Sequence, residues 1–414
     1  MLLGSLLPLL SLLQGCVATR LSPGQTLHVV VASNNNLDWL RRDYIDSQAW
    51  ETLLSGFRRL QPGVTVEISV EPEERITAKL AESHSRGLSP DLLLLRAPAA
   101  NAMLQRRLVD PLPRQQPGLG QTLSMVTPQL LERVQTRLGY SGLPVFTEFT
   151  VACYDRRRVP QPPATLDDLL RLAASGQPVG LGMDPPGLWW TVGATGAQDA
   201  LVPLVIGKPL PAGNGQYRAA LSAWLTWLRQ AALQSRVDMA SDSHELTEAL
   251  ETGQLAWIPC FSMVLRRLDR SLGPNLGVAP LPSGPGGSPS PYSVTRVWSL
   301  GRDSSPQQRK LAMQLALLSL DPLVQRDLAR SSRMVVPANR MVPLPVSTSS
   351  RLQALAEAQR QFDQASPMLA SPFSLDRLQW VTPYILSTVA MVMVGAITPD
   401  QGSEQLLRLN PKRK

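Results

Sequence analysis

The chain has 414 residues, of which 43% are hydrophobic. That length and apolar content exclude a disordered chain and fit two packed bodies better than one core. Lys and Arg outnumber Asp and Glu by 40 to 32, a net charge of +8, yet the basic residues stand as scattered pairs and triples such as Arg58-Arg59 and Arg156-Arg157-Arg158. Set among apolar helical pattern, they suit solvated helix faces rather than a nucleic-acid stripe. The three histidines are far apart and no Cys/His spacing suits a metal. No G-x-x-x-x-G-K-[ST] loop occurs, so the chain carries no P-loop nucleotide motif.

Leu2 to Leu13 is leucine at eight of twelve positions, the rest Gly, Ser and Pro, too short to span a bilayer and of the length of a signal-peptide apolar core. It runs into Leu13-Gln14-Gly15-Cys16, which resembles the bacterial lipobox. That resemblance implies a signal peptide over residues 1–15, a lipid on Cys16 and an anchoring linker over residues 16–26. Leu27–Ala32 then reads as a buried strand ending in Ser33-Asn34-Asn35-Asn36. Trp50–Leu60 is an amphipathic helix stopped by Gln61-Pro62-Gly63, and Val64–Val70 alternates as a strand. Glu73–Glu82 is helical, Leu92–Leu95 is a short apolar strand and Ala99–Arg107 is helical again. Repeated strand–helix units of this kind build an α/β body with a largely parallel sheet.

Beyond a helix near Thr127–Thr136, Phe146–Tyr154 is an unusually long strand-like run. Thr165 reads as the N-cap of a helix beginning at Leu166. Helices follow at Leu221–Leu233 and Ser243–Leu250, and a strand at Leu255–Phe261. Val278 to Pro291, rich in Gly, Pro and Ser, reads as a flexible loop. Val294–Leu300 is a strand, and Pro306–Ser319, Pro322–Ala329 and Arg351–Gln364 are helices. Tyr384–Ile397 is apolar but shorter than the ~20 residues a membrane span needs, so it reads as a buried helix. Trp224 and Trp227, at helical spacing, belong to a core. Cys153 and Cys260 each lie in an apolar run and read as buried free thiols, with a disulfide as the alternative in an oxidising compartment.

Seven short motifs now stand in order: Phe57 to Pro62-Gly63-Val64; Ser89-Pro90-Asp91; Gly142-Leu143-Pro144 with Tyr154-Asp155; Pro162-Pro163-Ala164-Thr165-Leu166-Asp167; Gly277-Val278-Ala279-Pro280-Leu281-Pro282; Asp321-Pro322-Leu323-Val324-Gln325; and Val336-Pro337-Ala338. In that order the chain resembles the extracellular solute-binding proteins of carbohydrate ABC importers, the group that includes maltose-binding protein. Leu166 stands where that family usually has Trp, and Asp155 where it has Asn. The resemblance implies an α/β, two-lobed periplasmic-binding-protein fold of type II, each lobe a mixed sheet flanked by helices. Lobe one would hold residues 27–148 plus about 298–370, and lobe two 149–297 plus about 371–410. Phe146–Tyr154, Val294–Leu300 and a segment near Pro372-Phe373 would be the crossing hinge strands.

The implied function is capture of a sugar or sugar-like polar solute, an oligosaccharide or glycosyl-polyol, for a membrane permease and its ATPase. The protein would be exported, lipid-anchored on the periplasmic side and monomeric, with no cofactor, no nucleic-acid partner and no catalysis. Rival readings are a binding protein for another solute such as a polyamine, a sensor without an importer, or a glycosidase or lyase on the same scaffold. A sugar site needs polar groups for hydroxyls and aromatic plates for C–H faces, placed at strand ends and crossings. The polar candidates are Asn36 after the first strand, Arg96 ending the Leu92–Leu95 strand, Glu148 in the first crossing and Asp184 before Pro185-Pro186. The aromatic candidates are Trp189 and Trp190, in a Gly/Pro-bounded loop, and Phe261, Trp298 and Trp380.

Overall fold

The structure is a computed structural model that describes residues 25–33, 48–113, 115–210, 215–240, 242–364 and 375–409. The expected signal peptide, Cys16, Asn36 and the Pro372-Phe373 crossing lie outside those residues. The chain opens with β1(Gln25–Ser33), α1(Gln48–Leu60), β2(Val64–Pro72), α2(Glu73–Ser85), β3(Leu92–Arg96), α3(Ala97–Gln105) and β4(Val109–Asp110). Next come α4(Leu119–Met125), α5(Pro128–Val134), the hairpin β5(Gln135–Thr136) and β6(Gly139–Tyr140), and the long β7(Leu143–Asp155). A second series follows: α6(Leu166–Ala174), β8(Val179–Gly182), α7(Pro185–Ala194), α8(Gln198–Ile206), α9(Gly215–Ala232), β9(Val237–Ala240), α10(Ser243–Glu251), β10(Trp257–Phe261), α11(Leu265–Leu272) and β11(Leu276–Ala279). The chain then runs through β12(Ser293–Gly301), α12(Pro306–Leu318), α13(Pro322–Ser332), β13(Val336–Pro337), α14(Ser350–Gln364), α15(Leu375–Met393) and α16(Pro399–Leu407).

β1 lies between β2 and β3 and is parallel to both. A parallel sheet with helical crossovers is buried on both faces, and successive side chains of a strand point to opposite faces. The leucine run of β3 follows from that. Leu92 and Leu94 join Trp50 and Phe57 under α1, whereas Leu93 and Leu95 join Ile76, Leu80 and Met103 on the other face. β12 closes the sheet antiparallel to β3, and β7 pairs antiparallel to β12.

β7 is buried along its whole length and changes partners midway. Phe149 still faces Ser293 of β12, but Thr150 faces Phe261 of β10. From there a second sheet runs β7, β10, β8, β9, with β8 parallel to both its neighbours. Its helices pack Trp190, Trp224, Trp227 and Trp257 into one core with Val381, Ile385 and Val389 of α15. The apolar stretch from Tyr384 is thus a packing face, and no helix among the described residues is long and apolar enough to cross a membrane.

Three expectations are corrected. The Val278–Pro291 stretch is not free: Val278 and Ala279 belong to β11, which pairs with β7, and Gly286 N–H donates to the Ala194 carbonyl at 2.9 Å. A Cβ on Gly286 would stand 2.0 Å from the Gly196 nitrogen, so glycine here permits close backbone docking. Trp189 and Trp190 lie on a helix, because Asp184 caps α7 and Pro185-Pro186 occupy its first positions, where a missing N–H costs nothing. Cys153 and Cys260 are not free thiols but a disulfide joining β7 to β10, with Cα atoms 5.7 Å apart.

Candidate functional site

A cavity of about 670 Å³ opens where the carboxyl ends of β2, β3 and β8 approach one another, with the start of β12 as its floor. Ligands of open α/β sheets bind outside the carboxyl ends of strands, and this volume suits a small solute.

One wall is charged. Glu73, Glu74 and Thr77 begin α2 directly after β2, Arg96 ends β3, and Arg106 and Arg133 come from beyond α3 and from α5. Glu73 pairs with Arg96 through its Oε1, while its Oε2 lies 3.8 Å from Arg296 Nη1 and has no hydrogen-bond partner among the described residues. Arg296 continues inward, donating to Glu148 Oε1 at 3.3 Å and to the Ala32 carbonyl at 3.1 Å. The four side chains form one chain of alternating charge from the cavity to the crossing strands. At its inner end Glu148 is 1% exposed, and burial pushes its carboxyl above the usual range against the opposing pull of Arg296.

Arg133 is buried beside the floor. It donates to Thr295 Oγ1 at 3.1 Å and to Ser293 Oγ at 2.9 Å, and its guanidinium lies 4.5 Å from the Phe362 ring centroid. Burial lowers its pKa to about 10, so it stays charged at neutral pH. Tyr292 completes the floor and packs against Phe261 with ring centroids 6.1 Å apart.

The facing wall is largely apolar. Leu188 and Trp189 come from α7, Leu201 and Val205 from α8, Trp224 from α9, and Leu378, Ile385 and Leu386 from α15. Asp184 stands at its edge with both oxygens engaged: Oδ1 accepts from Gly187 N–H at 2.8 Å and from Ser243 Oγ at 2.9 Å, and Oδ2 accepts from Ser243 N–H at 2.9 Å.

Of the residues singled out in the sequence, Arg96, Asp184 and Trp189 line the cavity. Glu148 lies behind it, at the inner end of the charge chain. Phe261 touches it only through Tyr292, and Trp380 lies half-buried under Arg377, whose guanidinium is 4.9 Å from its ring centroid. Trp190 and Trp298 are core residues instead. Trp190 is 0% exposed between Trp227 and Trp257, with its indole N–H donating to the Gly187 carbonyl. Trp298 is 1% exposed, edge-on to Trp50 and bonded to Ser319 Oγ at 3.0 Å. It shares a strand face with Arg296, but Arg296 lies opposite Arg96 at the cavity end of β3 and Trp298 opposite Leu94 in its middle. Trp224 is buried as expected, and also reaches the inner end of the cavity.

Glu73, Glu74, Thr77, Arg133 and Tyr292 were missed. The first two carry a usable signal, since they follow directly on the end of a strand. So does Arg133, which sits with Leu130 and Val134 on the buried stripe of α5.

Among solved structures, the chain is similar to the GacH receptor of Streptomyces glaucescens, determined unliganded and with acarbose, at 17% identity and a TM-score of 0.73 over 94% of this chain and 100% of that one. It is also similar to the cyclic alpha-maltosyl-1,6-maltose binding protein of Arthrobacter globiformis, at 15% identity and a TM-score of 0.68 over 93% and 98% of the two chains. The maltotriose binding protein of Thermus thermophilus gives 17% and 0.68 over 93% and 99%. At such identities these likenesses establish the fold, the two-lobed type II periplasmic-binding-protein architecture. No curated protein matches the chain in sequence. The family described as bacterial extracellular solute-binding protein matches residues 53–356, and the chain belongs to it.

Proposed function

We propose that this chain captures a neutral, hydroxyl-rich solute of sugar size in the cleft and delivers it, unaltered, to a membrane permease powered by an ATPase. The observation that carries this reading is the cavity at the strand ends with its balanced charge. Glu73, Glu74 and Asp184 are matched by Arg96, Arg106 and Arg133. A polyamine site would need acids in excess, whereas a sugar needs donors and acceptors of both signs around a neutral ring. The ligands of the similar structures, acarbose, maltotriose and a cyclic maltosyl-maltose, belong to the same chemical class.

The partner change of β7 between Phe149 and Thr150 supports a hinge there. One lobe would then carry β1 to β3, β12 and the first half of β7, and the other β8 to β11 and its second half. Closure of such lobes over a ligand is the switching mode of periplasmic binding proteins. On this reading the protein works as a monomer outside the cytoplasmic membrane, held by a lipid on Cys16.

Titration calorimetry of the full chain with maltose, maltotriose, glucosylglycerol and spermidine tests the proposal. The expected result is saturable binding of at least one of the three sugars without product formation, weakened at least ~10-fold in Glu73→Gln, the loss of one charge-assisted hydrogen bond. Binding of spermidine alone, or hydrolysis of a bound oligosaccharide, overturns it.

A further inference from the structure

The two walls of the cleft have different chemistry, and a free sugar fits only one of them. Glu73, Arg96 and Arg133 face the cavity from one side with charged groups. Opposite, a recess between α7, α8, α9 and α15 is lined by Leu188, Leu201, Val205, Leu378, Ile385 and Leu386. Gln379 and Thr382 of α15 stand among these apolar side chains, and two further polar neighbours are already engaged. Asp184 accepts three hydrogen bonds from Gly187 and Ser243, and the Trp224 indole N–H donates to Thr191 Oγ1 at 2.8 Å. Arg377 straps the recess from behind, donating to the Val205 carbonyl at 2.9 Å and the Leu204 carbonyl at 2.5 Å. Hydroxyls pressed against the leucine, valine and isoleucine side chains of such a wall lose water and gain few partners. Hydrocarbon in the same place gains about fourfold in affinity per buried methylene.

We infer that the ligand is amphipathic: a hydroxylated head held by the Glu73–Arg96 wall, joined to an apolar group seated in the α7–α8–α9–α15 recess. This deepens the sugar-binding reading and rests on it. The cavity is continuous across both walls, so one molecule of glycoside type, with an alkyl or aryl aglycone, fills both halves. Trp189, half-buried at the border between them, offers a plate to the junction.

The test is a calorimetric series on the full chain with maltose and with methyl, hexyl and octyl maltoside, each below its critical micelle concentration. The parallel variant is Leu386→Gln, at a half-buried lining position on the edge of the core, with its fold checked by circular dichroism and urea denaturation. The expected result is hexyl maltoside binding at least ~10-fold tighter than the methyl compound, with that gradient collapsing in Leu386→Gln. Equal affinity along the series, or maltose binding best, overturns the amphipathic ligand and leaves the sugar site standing. Absence of binding by every maltoside and by maltose overturns both.

Discussion

Replacing Cys153 and Cys260 together by alanine perturbs the chain at a place where the magnitude follows from topology. The bridge joins β7 to β10 and closes a loop with a sequence separation of 107. Loop-closure entropy for a ring of that length is about 16 cal/mol/K, or about 5 kcal/mol at 25 °C. That figure is an upper bound, because unfolded chains retain structure. Both cysteines are buried, and the alanines leave only a small packing loss, so a loss of about 2 to 4 kcal/mol is expected. Urea denaturation followed by tryptophan fluorescence measures it, since Trp257 pairs directly with Tyr154 beside the bridge. The midpoint should fall, and the slope should steepen as the unfolded state of the variant expands. The direct check is alkylation of the denatured, unreduced protein: the Cys153 and Cys260 peptides should stay unmodified until a reductant is added. Full alkylation before reduction, or an unchanged midpoint in the double variant, refutes the reasoning.

Two tryptophans should separate binding from folding. Trp298→Ala empties a buried site and should cost about 4 kcal/mol of stability, whereas Trp189→Ala, at the cavity border, should move the urea midpoint little and weaken ligand binding about 3- to 10-fold. Glu148 makes stability depend on pH with a defined sign. Its folded carboxyl is raised above the usual 4.5, so its contribution to stability is fully present at lower pH and is lost as pH rises through the folded value. Glu148→Gln should remove that slope, so urea midpoints of the two proteins should coincide near pH 4 and diverge in favour of Gln above it; divergence in the opposite sense rejects the assignment. Gly301→Ala would set a Cβ 1.6 Å from the Pro90 carbonyl oxygen, backbone that cannot yield without parting β12 from the loop before β3. A loss of about 3 kcal/mol in chemical denaturation is expected.

Elements whose physics is local were legible in the sequence. Thr165 was readable as an N-cap, and its side chain accepts from Asp168 N–H at 3.1 Å while Asp168 Oδ2 accepts in return at 2.9 Å. The leucine run Leu92–Leu95 was readable as a doubly buried strand for the reason its two cores show. Side chains whose role depends on distant packing were not. Trp190 looked exposed because its neighbours Pro185, Pro186 and Gly187 read as loop formers, yet Pro at the first helical positions starts a helix as readily as it ends one. Cys153 and Cys260 carried no spacing signal, because their proximity depends on how β10 aligns with β7. Glu73 was passed over although it follows a strand and shares the buried stripe of α2 with Ile76 and Leu80, because a carboxylate in a first helical turn reads first as a partner of the helix dipole.

The charge chain explains how one wall stays rigid while the opposite wall selects. Arg96 and Arg296 hold Glu73 from two sides, so its carboxylate cannot turn away to water when the cleft is open. One oxygen is left without a hydrogen bond, at a cost of about 1 to 3 kcal/mol for a buried acceptor. A ligand hydroxyl that bonds to Arg96 on this wall does so only where the ligand is pressed against lobe one. The apolar wall contributes nothing to that bond and rewards contact only when its own surface is covered. A ligand can shift the open–closed equilibrium only by its difference in affinity for the two states. Molecules that satisfy a single wall bind without favouring closure. Those that satisfy both favour the closed form, so on the proposed function selection lies in closure as well as in binding.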